Sequence, residues 1–407
     1  MSLVKISKPH SQGRAVSCKF SSMLPVITID KFFLIGALAG FFGSITLGAY
    51  VWLIRSGLLP VSTRYHSMRE LHAVMQFYLF LTPFILGFLI QSAQKLFETQ
   101  ITLPRAAQLA LPATILAAIA ILLAPGSILV SAILAASIWG VAACLALLFL
   151  HATWPVRLRF GGFAIFGLFS LGAGAFFDLG IPGHALKLFW LGVVPIILAT
   201  AQQFIKGLLG GRQPAPLASI VTIGLFLGTA LALLLPEESQ SASPVATILA
   251  LLTFIVFLFS TCRPATFQHL RSPIGVAFAC AHIWALLGAV ILSQGSAYAD
   301  SVLHIWGIGY AVTLILGVSM RIIPWIIETQ PISSSIQIVL LLTWQVVPIV
   351  RGLQPFYPFP RIAVWIASIC ALAALAVWAA AIVSSVVAVV SRQFKAKREA
   401  RFKHQRI

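Results

Sequence analysis

The side chains of this sequence that are most able to do chemistry are four histidines in or beside long apolar segments. They are His72, His184, His282 and His304. An ionisable side chain is costly inside an apolar helix, so each is a functional candidate. A neutral imidazole offers one nitrogen lone pair, and two imidazoles on facing helices can ligate the two axial positions of a haem iron. We therefore treat these histidines as candidate metal ligands.

The segments around them have the composition of membrane-spanning helices. The chain has 407 residues, of which 60% are hydrophobic and 9% charged, and a bilayer needs about 20 apolar residues per crossing. Backbone groups in lipid must be satisfied within each span, which predicts helices. We predict an all-α polytopic integral membrane protein of about twelve transmembrane helices. The candidate spans are 31–54, 70–94, 106–124, 127–150, 160–178, 184–205, 216–235, 244–261, 273–294, 298–320, 335–351 and 361–391.

The distribution of basic residues predicts the orientation of these spans. Most of the 27 lysines and arginines fall at the two ends of the chain and in alternate connections, as the positive-inside rule requires for an even number of spans. We predict a cytoplasmic basic tail at 1–30, a membrane domain at 31–391 and a second cytoplasmic tail at 392–407, in the inner (cytoplasmic) membrane. The net charge of +18 is thus a topology signal, and we expect lipids as partners and no nucleic acid.

The cysteines do not suggest a site. There are five, they are scattered, and no CxxC or CxxCH pattern occurs. A disulfide framework, a structural zinc site and covalent c-type haem attachment are therefore unsupported.

The predicted topology assigns a depth to each histidine. His72 and His304 lie near the outer ends of the second and tenth spans, and His184 lies at the outer boundary of the sixth. His282 lies near mid-membrane, where a packing histidine is the competing interpretation; for His184 the alternative is an interfacial hydrogen bond. We prefer His72 and His304 as a bis-histidine pair for haem b because their depths match.

Further residues could complete this haem site. Trp306 could pack on the macrocycle edge, and Gly307 and Gly309 could let a flat ring approach the helix backbone. Arg351 and Arg361 lie on the predicted outer side, where guanidinium groups can bind propionates. The alternative is that these arginines anchor lipid headgroups.

Two stretches of the sequence resemble the NnrS family of haem- and copper-containing twelve-span membrane proteins. In LHIWGIGYAVTLILGVSMR, His304, Gly309 and Arg321 occupy the places of the family's signature span. In RELHAVMQFYLFLTPFILGFL, the second-span pattern is filled by His72, Ala73, Gly87, Phe88 and Leu89. This resemblance implies a role in nitric-oxide metabolism or resistance to nitrosative stress. Two departures are Val74 and Ile326, where members usually carry histidines.

The chain is more distantly similar to subunit I of haem-copper oxidases and nitric-oxide reductases. In those enzymes the second and tenth spans share a low-spin haem, and arginines between spans eleven and twelve bind its propionates. His72, His304, Arg351 and Arg361 match these positions. The seventh span here has no histidine, and Trp306 stands where the tenth would carry a second one. A three-histidine copper centre of the oxidase type therefore cannot be assembled, and copper remains only an implication of the NnrS resemblance.

Taken together, the sequence favours a membrane haem-binding protein with a redox or nitric-oxide-related role, working with a redox partner protein or respiratory subunits. We do not assign an enzymatic activity. A small-solute transporter is the second hypothesis, since prolines at Pro83, Pro195 and Pro324 could break helices as transporters require. A non-catalytic structural subunit of a respiratory complex is the third.

Overall fold

The computed structural model describes residues 43, 47–61, 63–99, 101, 105–124, 126–157, 159, 161–235, 242–326 and 331–404. This part of the chain is helical and contains no strand. Its α-helices are α1 (Gly48–Arg55), α2 (Tyr65–Val74), α3 (Thr82–Leu96), α4 (Arg105–Leu123), α5 (Ile128–His151), α6 (Trp154–Arg157), α7 (Gly161–Ala173), α8 (Pro182–Leu188), α9 (Val194–Leu208), α10 (Pro216–Leu234), α11 (Ala242–Thr261), α12 (Pro264–Gln268), α13 (Pro273–Leu292), α14 (Ala299–His304), α15 (Thr313–Ile326), α16 (Ser334–Leu353) and α17 (Arg361–His404).

Three π-helical segments join α-helices end to end. They are π1 (Met75–Leu81) between α2 and α3, π2 (Phe189–Val193) between α8 and α9, and π3 (Ile305–Val312) between α14 and α15. Single 3₁₀ turns occur at Gly174–Phe176, His269–Arg271 and Ser296–Tyr298. Each π segment is therefore part of one continuous helix and does not mark a break between two helices.

The predicted polytopic helical membrane fold is confirmed. In the described part of the chain, nine helices are long and apolar enough to cross a membrane, and two shorter apolar helices cover Pro112–Leu123 and Gly161–Phe176. These eleven correspond to eleven of the predicted spans. The remaining candidate, 31–54, is described only at residue 43 and from residue 47 onward, and the predicted tail 1–30 lies outside the described residues.

Local sequence signals set the helix ends. Ser127, Ser272 and Ser333 are N-caps whose hydroxyls accept hydrogen bonds from backbone N–H groups of the first turn, as serine does at this position. Proline occupies the first helical position of α8, α10 and α13, where its missing N–H costs nothing. The tight turn predicted between the third and fourth spans is present, since α4 ends at Leu123 and α5 begins at Ile128.

Small residues bring neighbouring helices close together. A Cβ atom on Gly167 of α7 would lie 2.5 Å from the carbonyl oxygen of Gly192 in π2, and one on Gly317 of α15 would collide with Ala277 of α13. Small residues let the helix backbones approach each other closely. This close packing stabilises helix association in a lipid bilayer, where the hydrophobic effect does not drive helices together.

The centre of the bundle is filled by aromatic side chains. Trp190, Trp306, Phe254 and Tyr310 are all fully buried. The rings of Trp190 and Trp306 are 5.0 Å apart between centroids, and those of Phe254 and Tyr310 are 5.4 Å apart in an edge-to-face arrangement. This contact geometry is the one aromatic pairs prefer. It makes the middle of the molecule rigid and apolar beside the site described next.

Polar groups at the end of the bundle where α3 finishes form a separate cluster. One oxygen of Glu98 accepts hydrogen bonds from the amide of Gln213, at 2.8 Å, and from Arg159, at 2.9 Å. The Gln213 hydrogen bond, helped by the Arg159 charge, lowers the pKa of the Glu98 carboxyl below its usual value. This cluster lies at the opposite end of the second span from His72.

Candidate functional site

His72 and His304 line one cavity, which we call the imidazole cavity. It lies between α1, α2, π1, α14, π3, α16 and α17 and has a volume of about 160 Å³. The structure therefore brings together the two histidines that the sequence paired by depth.

Both imidazoles are held through the same ring nitrogen. The Nδ1 atom of His72 lies 3.1 Å from the carbonyl oxygen of Gly43, and that of His304 lies 2.6 Å from the carbonyl oxygen of Asp300. A carbonyl oxygen can only accept, so each Nδ1 carries the proton and donates it. Each Nε2 then keeps its lone pair, which is the tautomer and second hydrogen bond typical of metal-ligating histidines.

The backbone of α1 packs closely against the His72 ring. A Cβ atom on Gly48 would lie 2.6 Å from Cε1 of His72. Any larger residue would therefore have to push the imidazole away from its present position. Gly48 and the Gly43 carbonyl together fix the ring from one side.

π-Helical segments border the cavity. π3 begins directly after His304, π1 begins three residues after His72, and π2 contributes Phe189 to the lining. π-Helical turns occur often at functional sites, and they leave carbonyl groups without the usual helix partner.

Threonine hydroxyls donate hydrogen bonds to two of these carbonyl groups. Thr82 at the end of π1 donates to Phe77 O at 2.6 Å, and Thr313 at the end of π3 donates to Ile308 O at 3.3 Å. The indole of Trp344 also donates to Ile308 O, at 3.2 Å. These hydrogen bonds satisfy polar groups that lipid could not satisfy.

Charged groups gather around one carboxylate in the cavity wall. Asp300 accepts a hydrogen bond from Nη2 of Arg351 at 2.7 Å and pairs with Arg55 through the same oxygen. Arg69, which also lines the cavity, donates to the carbonyl oxygen of Gly180 at 2.6 Å. Three guanidinium groups against one carboxylate leave this part of the cavity with an excess of positive charge when the imidazoles are neutral.

One guanidinium nitrogen in this cluster is left without a partner. The Arg351 side chain is only 7% exposed, and its Nη1 makes no hydrogen bond to any described residue. A buried charged donor is seldom left unsatisfied, because desolvation without a partner is costly. An anionic group bound in the cavity would satisfy it.

Most of the remaining cavity wall is apolar. Leu81, Phe77, Val312, Trp344 and Leu375 contribute to it. The cavity therefore combines two inward imidazoles, a cationic region and an apolar body. This combination fits a flat apolar macrocycle with carboxylate arms, and the residues present are compatible with a haem.

The other sequence-predicted residues lie elsewhere. Trp306 donates its indole N–H to Ala285 O at 2.9 Å and is fully buried in the aromatic centre. Gly309 faces Trp284, to which an added Cβ would approach within 2.5 Å, whereas an added Cβ on Gly307 would meet no described atom within 4 Å. Gly307 lines the cavity. The glycine that leaves room there is thus Gly307, while Trp306 and Gly309 hold helices together.

Arg361 and His184 are also outside the described cavity lining. Arg361 is exposed at the start of α17, so of the two arginines matched to propionate binding only Arg351 reaches the cavity. The Nδ1 atom of His184 lies 3.2 Å from the carbonyl oxygen of Asp178, and its ring centroid is 6.0 Å from that of Phe177. This is the interfacial hydrogen-bonded arrangement that the sequence left as the alternative for His184.

His282 is buried in aromatic surroundings. Its Nδ1 lies 2.8 Å from Phe278 O, and its ring contacts Phe257, Phe278 and Tyr310. Its Nε2 and the Tyr310 hydroxyl make no hydrogen bond to described residues. Among the described residues, no three His, Cys, Asp or Glu side chains are grouped so as to hold a metal ion. The four candidate histidines thus do not converge.

Sequence reasoning missed Asp300. It precedes His304 by four residues, which places the two on the same face of a helix one turn apart. A carboxylate at that spacing before a membrane histidine was a readable signal, since Asp300 lies within the predicted span 298–320, but only the histidines of that span were considered as candidates.

A family model described as "NnrS protein" matches residues 31–389. No curated protein matches the chain.

Proposed function

We propose that this chain, which belongs to the NnrS family, is a haem-binding membrane protein whose His72 and His304 ligate one haem b. The observation that carries the proposal is that both imidazoles line one cavity with Nδ1 bound to a backbone carbonyl. Each Nε2 lone pair is therefore available to an axial position of iron.

The charged part of the cavity supports the same assignment. Arg351 has a free buried donor, and Arg55 and Arg69 lie in the same lining. These groups would bind the propionates of the haem, because guanidinium groups pair strongly with carboxylates. The apolar wall would cover the macrocycle and exclude water from it.

When bound, such a haem supplies a one-electron redox centre. The protein residues hold it, orient the imidazoles and keep the surroundings dry. The NnrS resemblance implies a role in nitric-oxide metabolism or nitrosative stress, which we include in the proposal, together with a redox partner protein or respiratory subunit as electron donor or acceptor. A copper ion, implied by the same resemblance, is not assigned to any residues.

The placement of the site follows from the basic residues of the sequence. With both termini in the cytoplasm, the imidazole cavity would lie near the outer face of the inner membrane. A partner carrying electrons would then dock from the outer side.

An optical spectrum of the purified protein tests the proposal. The reduced-minus-oxidised spectrum should show a sharp b-type band, which His72→Ala and His304→Ala should each abolish. His184→Ala is the matched control, because His184 lies outside the described lining, and it should keep the band. A folded wild-type protein that binds no haem after reconstitution would refute the proposal and favour the transporter or structural-subunit hypotheses.

A further inference from the structure

Asp300 connects the cationic part of the imidazole cavity to one of its two histidines. One carboxylate oxygen pairs with Arg55 and Arg351, and the other lies 3.5 Å from Nδ1 of His304. The backbone carbonyl of the same residue accepts the hydrogen bond of that Nδ1 at 2.6 Å. The His304 ring is thus hydrogen-bonded to the backbone carbonyl of Asp300 and lies beside the carboxylate of the same residue.

The two histidines differ in this respect. The Nδ1 atom of His72 has only a neutral acceptor among the described residues, the Gly43 carbonyl at 3.1 Å. Acceptors behind a metal-ligating histidine orient the ring and raise its basicity as a ligand. The Asp300 carboxylate adds its negative charge 3.5 Å from Nδ1 of His304, and this charge attracts the ring proton and makes the imidazole a stronger electron donor.

We propose that Asp300 is a positioning residue that acts through His304 to lower the reduction potential of the haem. This inference rests on the proposed haem site. The carboxylate strengthens electron donation from His304 and adds negative charge near the iron, and both effects favour the ferric state, which carries one more positive charge than the ferrous state.

The charge balance of the step is simple. Reduction of a bound haem would take up one electron from the mediator used in the titration, and Asp300, paired with Arg55 and Arg351, would keep its charge in both oxidation states. The arginines that pair with Asp300 reduce its field at the iron, but they are the same before and after substitution. Asp300→Asn therefore removes one unit of negative charge while keeping the size and shape of the side chain.

The experiment is a potentiometric titration of the haem-loaded protein in detergent. Asp300→Asn should keep a bis-histidine spectrum and shift the midpoint potential to more positive values, by about a tenfold change in the ferrous-to-ferric ratio at a fixed potential, or about 59 mV for one electron. Asp178→Asn is the matched control. It removes the same charge from an exposed carboxylate that is hydrogen-bonded to Gly180 N and outside the described cavity lining, and its potential should equal that of the wild type.

Each outcome decides the question. An Asp300→Asn protein with wild-type potential would overturn the inference while leaving the proposed haem site intact, whereas a wild-type protein without haem would overturn the proposed site first. If Asp300→Asn fails to load, Asp300→Glu, which keeps the charge, should load and retain a low potential. Loss of haem from both variants would show a purely structural role and would also overturn the inference.

Discussion

Two histidines in the membrane-spanning helices, His304 and His282, have the same local hydrogen bonding but different surroundings. His304 and His282 each place Nδ1 beside the carbonyl oxygen four residues earlier, at 2.6 Å and 2.8 Å. Both rings are therefore in the same tautomer and on the same kind of helical support. His304 lines a cavity with charged groups, whereas His282 is packed among Phe257, Phe278 and Tyr310.

The comparison shows that burial and tautomer do not define a site. A lone pair aimed at a cavity with complementary charge can bind a ligand, while a lone pair enclosed by aromatic rings is an unsatisfied polar atom. The structure thus favours the packing interpretation for His282 over metal ligation.

The first prediction tests the difference between His304 and His282 by removing each imidazole in turn. His304→Gly should lose the b-type band, and exogenous imidazole should restore it, because the small ligand can occupy the emptied part of a cavity that is already open. His282→Gly should keep the band and show no response to imidazole. Absorbance titration with imidazole measures both, and recovery of a lost band in His282→Gly alone would reverse the assignment.

The second prediction concerns the charges around His304. Arg351→Gln removes one of the two arginines paired with Asp300 and also removes a proposed propionate donor. Because Arg55 remains beside the carboxylate, the cost is that of one hydrogen bond to a charged group, about 1.5–3 kcal/mol. We expect a lower melting temperature and haem loss at least about tenfold faster, measured by transfer to apomyoglobin.

The matched control for this change is Arg361→Gln. Arg361 is an exposed arginine on the next helix, and surface charges contribute little to stability. Its melting temperature and haem retention should match those of the wild type. Equal effects of the two substitutions would contradict the buried role of Arg351.

The third prediction separates two glycines of π3. Gly309→Ala places a Cβ 2.5 Å from Trp284 and should destabilise the fold by about 1–3 kcal/mol, as overpacking does. Gly307→Ala meets no described atom within 4 Å, so it should leave the apoprotein as stable as before and weaken haem binding by narrowing the cavity. Thermal unfolding of the apoprotein and haem titration distinguish the two variants. A Gly309→Ala protein that is as stable as the wild type but binds haem more weakly would contradict the prediction, because it would place the haem beside Gly309 and not beside Gly307.

The smallest effect is expected at His282 itself. His282→Phe removes the unpartnered Nε2 and keeps an aromatic ring among aromatic neighbours, so the free energy of unfolding should change by less than about 1 kcal/mol. The b-type band should be unchanged. A large loss of stability would instead indicate that Nε2 binds a group in the native protein.

Much of this molecule follows from its sequence. Hydropathy predicts the helical membrane fold and the tight connection before Ile128, and loop charge plus segment order pairs His72 with His304. The hydropathy of a span is averaged over about 20 residues, so a single unusual residue does not change the prediction. The side of a helix that a residue faces depends on its position within a single turn, and the sequence predicts this side less well than it predicts the span.

Trp306 illustrates that weakness. It lies two residues after His304, and residues at that spacing do not face the same side of a helix. Its indole fills the aromatic centre instead of the cavity. Asp300 could have been found by the same reasoning applied at a spacing of four, whereas the open space beside Gly307 depends on helices that are distant in the sequence.

The π segments make the number of residues in a helix part of the site. A π turn holds one residue more than an α turn, and removing one residue from an α-helix rotates everything beyond it by about 100°. If Ile305–Val312 lost one residue and closed into an α-helix, the helix beyond it would therefore keep nearly its present phase, and the buried Leu316 and Met320 would stay in the core. The same deletion in the α-helical part of this span, just after Thr313, would instead swing both side chains out of the core. The π segment is thus a place where the helix would absorb a single-codon deletion, at the cost of the wide turn that borders the cavity.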